Sequence, residues 1–273
     1  MERLSRPRLR LEKAQAHRRR IAELWNGFID GEEPYETFVH VDPDGHGVIE
    51  LYPNEGIPLD EISLEFGELL YQLRAALDSL VYELAIIDTG QDPPPDADKL
   101  EFPIRASQSS FNKVAWKIAP LSEHHRTLIN RLQPYPVPNQ TNAMKLMAET
   151  LDVLNDWARK DRHRGLHAVA SWAANKNPLF EPPEGCTVHS VVVTPDGPLE
   201  KESQVATFGV SGWRPGLDFV ANPNLTIDIS LSEPLPPQDL TGLGVEEDSL
   251  SERAKLMIVV VDTVIQGFEE TLD

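Results

Sequence analysis

The sequence predicts an α+β fold: a helical bundle of five or six helices that carries an N-terminal β-hairpin and a small antiparallel sheet. Apolar residues recur at spacings of three and four over long segments near both ends and in the first half of the chain. Two short alternating segments flank an Asp-Pro-Asp-Gly turn at 42–45. Further alternating segments between 186 and 232 precede a last segment of helical period. Because that last segment predicts a return to the bundle, we expect one domain over 1–273, with helices in 1–176 and 245–273 and an embedded β subdomain at 186–232.

Each element follows from its local pattern. A first helix is predicted at about 6–29, a hairpin at 35–41 and 46–52, and a central core helix at 59–87. Shorter helices are expected at 108–118 and 122–132, and a longer one after 141. One glycine costs only about 1 kcal/mol in a helix, so continuation through Gly165 to Ala174, a kink and a stop all remain open. Strands at 187–193, 204–210, 217–220 and 225–231 precede a final helix at 246–272.

Composition limits the class of protein. With 273 residues, 40% of them hydrophobic, the chain can bury a sizeable core, and a single cysteine, Cys186, excludes an internal disulfide framework and multi-cysteine zinc modules. No apolar run approaches the roughly 20 residues of a membrane span. We therefore expect a soluble cytoplasmic protein that does not associate with membranes.

The charge is unevenly distributed along the chain. The net charge is −19, yet the first 20 residues carry eight Lys or Arg and only two Glu. On the first predicted helix a basic stripe lies beside the apolar one, formed by Arg3, Arg6, Arg10, Lys13, His17 and Arg20. This stripe could dock on acidic neighbours within the chain, engage an acidic protein partner, pair with a second copy as a homodimer, or face a polyanion such as RNA.

Arg74 and Asp78 stand one turn apart on the central helix and form the first candidate site. Such a pair on a core helix is most often a partly buried ion pair. The functional alternative is that Arg74 binds an anion in a bidentate way while Asp78 fixes its orientation. Both residues are therefore candidate ligand-binding residues.

The segment from 159 to 167 is the second candidate site. Arg159, Arg162 and Arg164 could hold phosphate or carboxylate, and His163 and His167 could transfer protons near neutral pH. The two histidines are four residues apart, as in some zinc sites, but Arg164 occupies the position where a metalloprotease motif has its carboxylate. We therefore predict no metal and no cofactor, with Arg162, His163 and His167 as candidate catalytic residues.

Arg162 and His167 also fit the pattern Arg-x4-His, which on a bundle of long helices resembles the HEPN superfamily. The resemblance implies a metal-independent ribonuclease, often assembled at a dimer interface. By this analogy His167 would be the acid/base, Arg162 would hold the scissile phosphate, and His163 would orient the pair.

A second resemblance covers roughly residues 59–167. The segments 73–78 (Leu-Arg-Ala-Ala-Leu-Asp), 102–104 (Phe-Pro-Ile), 133–135 (Gln-Pro-Tyr) and 161–164 (Asp-Arg-His-Arg) resemble the signposts of a family found in actinobacteria and their phages, which brings no established activity with it. A histidine often follows the Leu-Asp pair in that family, where this chain has Ser79. The resemblance implies a composite site between the central helix and the His-Arg segment.

Two main functions remain open from the sequence, besides a minor hypothesis of a metal-dependent hydrolase that uses His163 and His167. The first is a binding or assembly protein that uses the basic helix and the His/Arg cluster. The alternative is a HEPN-like ribonuclease or RNA-binding protein of a bacterial or phage conflict system. The sequence contains no phosphate-binding glycine loop, dinucleotide fingerprint or nucleophile elbow, which argues against the usual ATPase, dehydrogenase and hydrolase classes.

Overall fold

The computed structural model describes residues 4–31, 35–53, 58–164, 168–174, 176–195, 197–198, 202–231 and 249–272. Within these ranges the chain has six α-helices, nine strands and a 3-10 turn at Ala115–Ile118. The helices are α1 (Ser5–Ile29), α2 (Leu59–Thr89), α3 (Gln108–Asn112), α4 (Glu123–Arg131), α5 (Asn142–Arg164) and α6 (Leu250–Glu269). The predicted α+β class is confirmed.

Helix α2 forms the centre of the larger core. It begins after Pro58, has two acidic residues in its first turn, where they favour the helix dipole, and ends at Gly90 in the left-handed conformation. Its apolar residues are buried by α1, α5 and α6. Phe66 of α2 meets Trp157 of α5 edge to face, with ring centroids 5.9 Å apart. This contact sets the two helices side by side and determines where their polar residues meet.

The strands form three separate antiparallel sheets rather than the one small sheet that the sequence predicts. The strands are β1 (Tyr35–Val41), β2 (His46–Pro53), β3 (Ala168–Ala174), β4 (Leu179–Glu181), β5 (Thr187–Val193), β6 (Gly197–Pro198), β7 (Ser203–Ser211), β8 (Val220–Asn222) and β9 (Thr226–Leu231). Their orders are β1-β2-β7-β5, β6-β3-β9 and β4-β8. Ile49 and Leu51 join Val205, Phe208 and Val210 in a second hydrophobic core.

The predicted hairpin exists, but it belongs to the β part of the molecule. Strand β2 pairs with β7, with Gly47 opposite Phe208. A Cβ on Gly47 would lie 2.2 Å from the Phe208 ring, so this pairing requires glycine. The division into a bundle at 1–176 and a β subdomain at 186–232 therefore misses a long-range pairing that local patterns do not reveal.

Helix α5 ends at Arg164, and the helical continuation to Ala174 that the sequence left open does not occur. Residues Ala168–Ala174 form β3, which pairs with the alternating strand β9. Tertiary pairing overrides the local helical pattern here because β9 offers backbone partners along most of β3, with one irregularity between Val169 and Ser171. Helix α6 returns to the bundle as predicted and packs against α1, α2 and α5.

Candidate functional site

A cleft of about 420 Å³ opens between α2, α5 and the extended segment that precedes α3. A second pocket, of about 250 Å³, lies along α2 and α5. Both pockets are lined by Arg74, Asp78 and Arg162, so they adjoin each other, and we call the two together the arginine cleft. Three residues of the composite site that the sequence predicts between the central helix and the His-Arg segment, Arg74, Asp78 and Arg162, line this cleft.

The wall of the arginine cleft is more basic than the protein as a whole. Three acidic side chains, those of Asp78, Asp98 and Glu101, line the larger pocket, and Asp161 in the smaller pocket is a fourth. Six basic side chains line the larger pocket, those of Arg74, Lys99, Arg105, Lys117, Arg159 and Arg162. In a chain with 25 Lys or Arg and 44 Asp or Glu, this is a local reversal of charge. Such a reversal attracts anions into one concave place.

Arg74 and Asp78 together hold the backbone amide and carbonyl groups of one residue of the extended segment, Phe102. Arg74 Nη1 donates to Asp78 Oδ1 at 2.8 Å and Nη2 donates to the carbonyl oxygen of Phe102 at 2.7 Å. The Phe102 amide donates in turn to Asp78 Oδ1 at 2.9 Å. Arg74 is only 9% exposed, and burial raises the pKa of Asp78 despite the opposing effect of Arg74. The predicted ion pair between Arg74 and Asp78 therefore serves chiefly to position the backbone at Phe102 beside the cleft.

Gln133 holds the same segment from the other side. Its side chain is fully buried, and its Nε2 donates to the Pro103 carbonyl at 2.7 Å. Its Oε1 accepts from the Arg105 amide at 3.0 Å. Because Arg74, Asp78 and Gln133 all bind this backbone, the Leu-Arg-Ala-Ala-Leu-Asp, Phe-Pro-Ile and Gln-Pro-Tyr segments form one hydrogen-bonded framework.

The fourth segment, Asp-Arg-His-Arg at 161–164, is joined to this framework by a close contact between α5 and α2. The Asp161 carboxylate of α5 packs against Gly67 of α2, and a Cβ there would lie 2.7 Å from both carboxylate oxygens. The absence of a side chain at Gly67 therefore lets α5 approach α2. This contact sets the position of Arg162, the next residue along α5.

The Glu101 carboxylate forms ion pairs with three basic side chains of the cleft. Its Oε1 lies 3.5 Å from Arg74 Nη2 and 3.7 Å from Arg105 Nη2, and its Oε2 pairs with Lys117 Nζ. Glu101 and Asp78, which also pairs with Arg74, together cannot neutralise these three cations. The cluster retains positive charge and is held in place without a ligand, which reduces the cost of ordering these side chains when one binds.

Arg159 and Arg162 line the opposite wall and are both exposed. Arg159 Nη2 pairs with Asp156 Oδ1 at 2.7 Å. Arg162 Nε donates to the neutral carbonyl oxygen of Ala158 at 3.1 Å, and no carboxylate of the described ranges lies within ion-pair distance of it. Arg162 is therefore the cation of the cleft that is most available to a ligand.

The predicted site residues fall into two groups. Arg74, Asp78, Arg159 and Arg162 come together in the arginine cleft. His167 and the side chains of His163 and Arg164 lie outside the described residues. The cleft also contains Glu101, Arg105, Trp116 and Lys117, which the sequence analysis did not single out. The sequence offered one signal for two of these residues, because Glu101 and Arg105 flank the Phe-Pro-Ile segment.

Several basic residues of α1, among them Arg6 and His17 of the predicted stripe, are paired within the molecule. Arg8 Nε donates to Glu269 Oε1 of α6 at 2.9 Å, and Arg8 also pairs with Asp262. His17 Nδ1 lies 2.7 Å from Glu65 Oε2 of α2. Of the alternatives for this stripe, docking on acidic neighbours within the chain accounts for these contacts.

The chain matches none of the protein-family models, curated proteins or solved structures with which it was compared. No helix in the described ranges has the length and apolar character that a membrane crossing requires. Among those same residues there is no group of three or more His, Cys, Asp or Glu side chains arranged to hold a metal ion. Inference about function therefore depends on the chemistry of the arginine cleft itself.

Proposed function

We propose that this protein binds RNA, and that the RNA phosphates occupy the arginine cleft. The observation that carries the proposal is the excess of basic over acidic side chains in one concave site of a chain whose net charge is −19. Guanidinium groups bind phosphate through two parallel hydrogen bonds, which favours Arg159 and Arg162 as phosphate contacts.

The acidity of the rest of the chain restricts how RNA can bind. Repulsion between exposed charges is screened beyond about 8–10 Å at physiological salt, so a short segment in the cleft experiences mainly the local positive charge. A long duplex would extend past the cleft over acidic surface. This argument favours recognition of short or protruding RNA segments.

An acidic protein partner is the less favoured ligand. In the sequence analysis that partner depended in part on the basic stripe of α1, but Arg6 and His17 of that stripe already pair with carboxylates of α2. Basic residues that already pair with carboxylates of the same chain attract an acidic partner less strongly. Poly-glutamate is therefore the appropriate competitor in a binding assay.

Replacing Arg162 with Ala tests the proposal. We expect this variant to bind an eight-nucleotide RNA about tenfold more weakly, which corresponds to ~1.4 kcal/mol, because one charge-assisted phosphate contact is lost. Fluorescence anisotropy of labelled RNA at two salt concentrations measures the change. Arg19→Ala is the matched control, since Arg19 is also exposed but lies on α1. Equal affinities for the two variants, or stronger competition by poly-glutamate than by unlabelled RNA, would reject the proposal.

Cleavage of the bound RNA is a second candidate function. The specific observation in its favour is that Arg162, the arginine of the Arg-x4-His pattern, lies exposed in the cleft. The same RNA incubated with EDTA and resolved on a denaturing gel tests it. Cutting by the wild type that disappears in His167→Ala supports a metal-independent ribonuclease, and intact RNA in both samples supports binding alone.

A further inference from the structure

Trp116 is an exposed aromatic side chain within the arginine cleft. It is 50% exposed, lines the larger pocket and lies beside Lys117 in sequence. No other aromatic ring within the described ranges is paired with Trp116. An indole that is half exposed to water beside several cations has apolar surface that a planar ligand could cover.

The backbone below Trp116 is held in place. The 3-10 turn Ala115–Ile118 buries Ile118 in the main core at 1% exposure, and Ala115 packs against the same core. The Lys117 amide donates to the Val114 carbonyl at 2.9 Å and the Ala119 amide donates to the Trp116 carbonyl at 3.2 Å. The turn therefore presents the indole from a fixed position.

The cations next to the indole are also fixed. Lys117 Nζ lies 5.8 Å from the centre of the Trp116 ring, and Lys117 and Arg105 both pair with Glu101. A phosphate bound by these cations would place the attached sugar and base close to the indole. This arrangement of a cationic track beside an aromatic platform is typical of sites for unpaired nucleotides.

We propose that Trp116 stacks on an unpaired base of the bound nucleic acid, so that the arginine cleft takes single-stranded rather than duplex segments. This inference rests on the proposed function, because it requires phosphate in the same cleft. It adds the recognition of a base and the requirement that the strand be unpaired. A base within a duplex has both faces covered by its neighbours and cannot stack on the indole.

The test compares two probes that differ only in their bases. The first is an eight-nucleotide oligouridylate, and the second is an abasic ribose-phosphate oligomer of the same length and charge. We expect Trp116→Ala to weaken oligouridylate binding about tenfold and to leave abasic binding within about twofold of the wild type. Trp116→Phe should recover much of the loss, because a phenyl ring still offers a face for stacking.

Tryptophan fluorescence supplies a second readout that a merely structural role would not change. Oligouridylate should quench the wild type more than Trp116→Phe, and the abasic probe should quench both equally. Equal weakening for both probes, or unaltered oligouridylate affinity in Trp116→Ala, would overturn the stacking inference. Wild-type protein that binds neither probe would instead reject the proposed function, so the two failures are distinguishable.

Discussion

Replacing Arg74 with Met should lower the free energy of unfolding by about 3 kcal/mol. The substitution keeps the apolar bulk of the side chain but leaves Asp78 without its cation and the Phe102 carbonyl without its donor. Arg74 is buried, so water cannot fully replace these contacts. Urea denaturation of the purified variant measures the loss.

The loss should depend on pH in a defined direction. Burial already raises the pKa of Asp78 in the folded protein, and removal of Arg74 should raise it further. A carboxyl group whose folded pKa exceeds its unfolded pKa binds more protons when folded, so its contribution to stability falls as pH rises through that range. We therefore expect the destabilisation by Arg74→Met to be smaller at about pH 4.5 than at about pH 7.

Arg20→Met is the matched control for this experiment. Arg20 and Glu23 form an exposed pair on α1 at 3.4 Å, and such pairs contribute roughly 0–1 kcal/mol. If Arg74→Met were no less stable than this control, or lost the same stability at both pH values, the positioning role of the Arg74–Asp78 pair would be wrong.

Replacing Glu101 with Gln should strengthen RNA binding about tenfold while lowering stability by about 1 kcal/mol. The amide keeps the shape of the side chain but removes the charge that Arg74, Arg105 and Lys117 share. At an effective dielectric constant of about 20, a unit charge roughly 8 Å from a phosphate repels it by ~2 kcal/mol, and screening by salt reduces this to about the 1.4 kcal/mol of a tenfold gain.

The opposite signs of these two effects make the Glu101 experiment informative. A residue that only stabilises the fold would reduce both stability and binding when changed. Glu23→Gln is the control, because Glu23 is an exposed carboxylate of α1 that pairs with Arg20. Unchanged or weaker RNA binding by Glu101→Gln would contradict the view that the cluster around Glu101 faces the ligand.

Much of the helical part could be predicted from the sequence because its signals are local. The apolar period of α2 runs from Ile62 to Leu84, about six turns, and the apolar period of α6 predicted a last helix that returns to the bundle. The pairing of β2 with β7 and the strand β3 could not be predicted in this way. Both depend on strands that lie far away in the sequence. In addition, β3 follows α5, and the apolar helical period of α5 continues to the end of that helix.

Prediction of the candidate site from the sequence had the same limit: residues joined by local spacing could be found, and residues brought together only by the fold could not. Arg74 and Asp78 were recognisable because a spacing of four residues joins them on one helix. Glu101 and Lys117 come from a loop and a short turn, and only the fold brings them beside Arg74. Asp78 and Gln133 both form hydrogen bonds with the same extended segment, so three of the four sequence segments of the second resemblance lie in contact. Their spacing in the sequence alone did not suggest this.

Protection of individual arginines by bound RNA tests the central claim most directly. Wild-type protein would be treated with phenylglyoxal with and without the eight-nucleotide oligouridylate, and the modified arginines identified by mass spectrometry. The account predicts that RNA protects Arg105, Arg159 and Arg162 of the arginine cleft and leaves the exposed Arg19 and Arg20 of α1 as reactive as before. Protection of the α1 arginines with undiminished modification of the cleft arginines would contradict it.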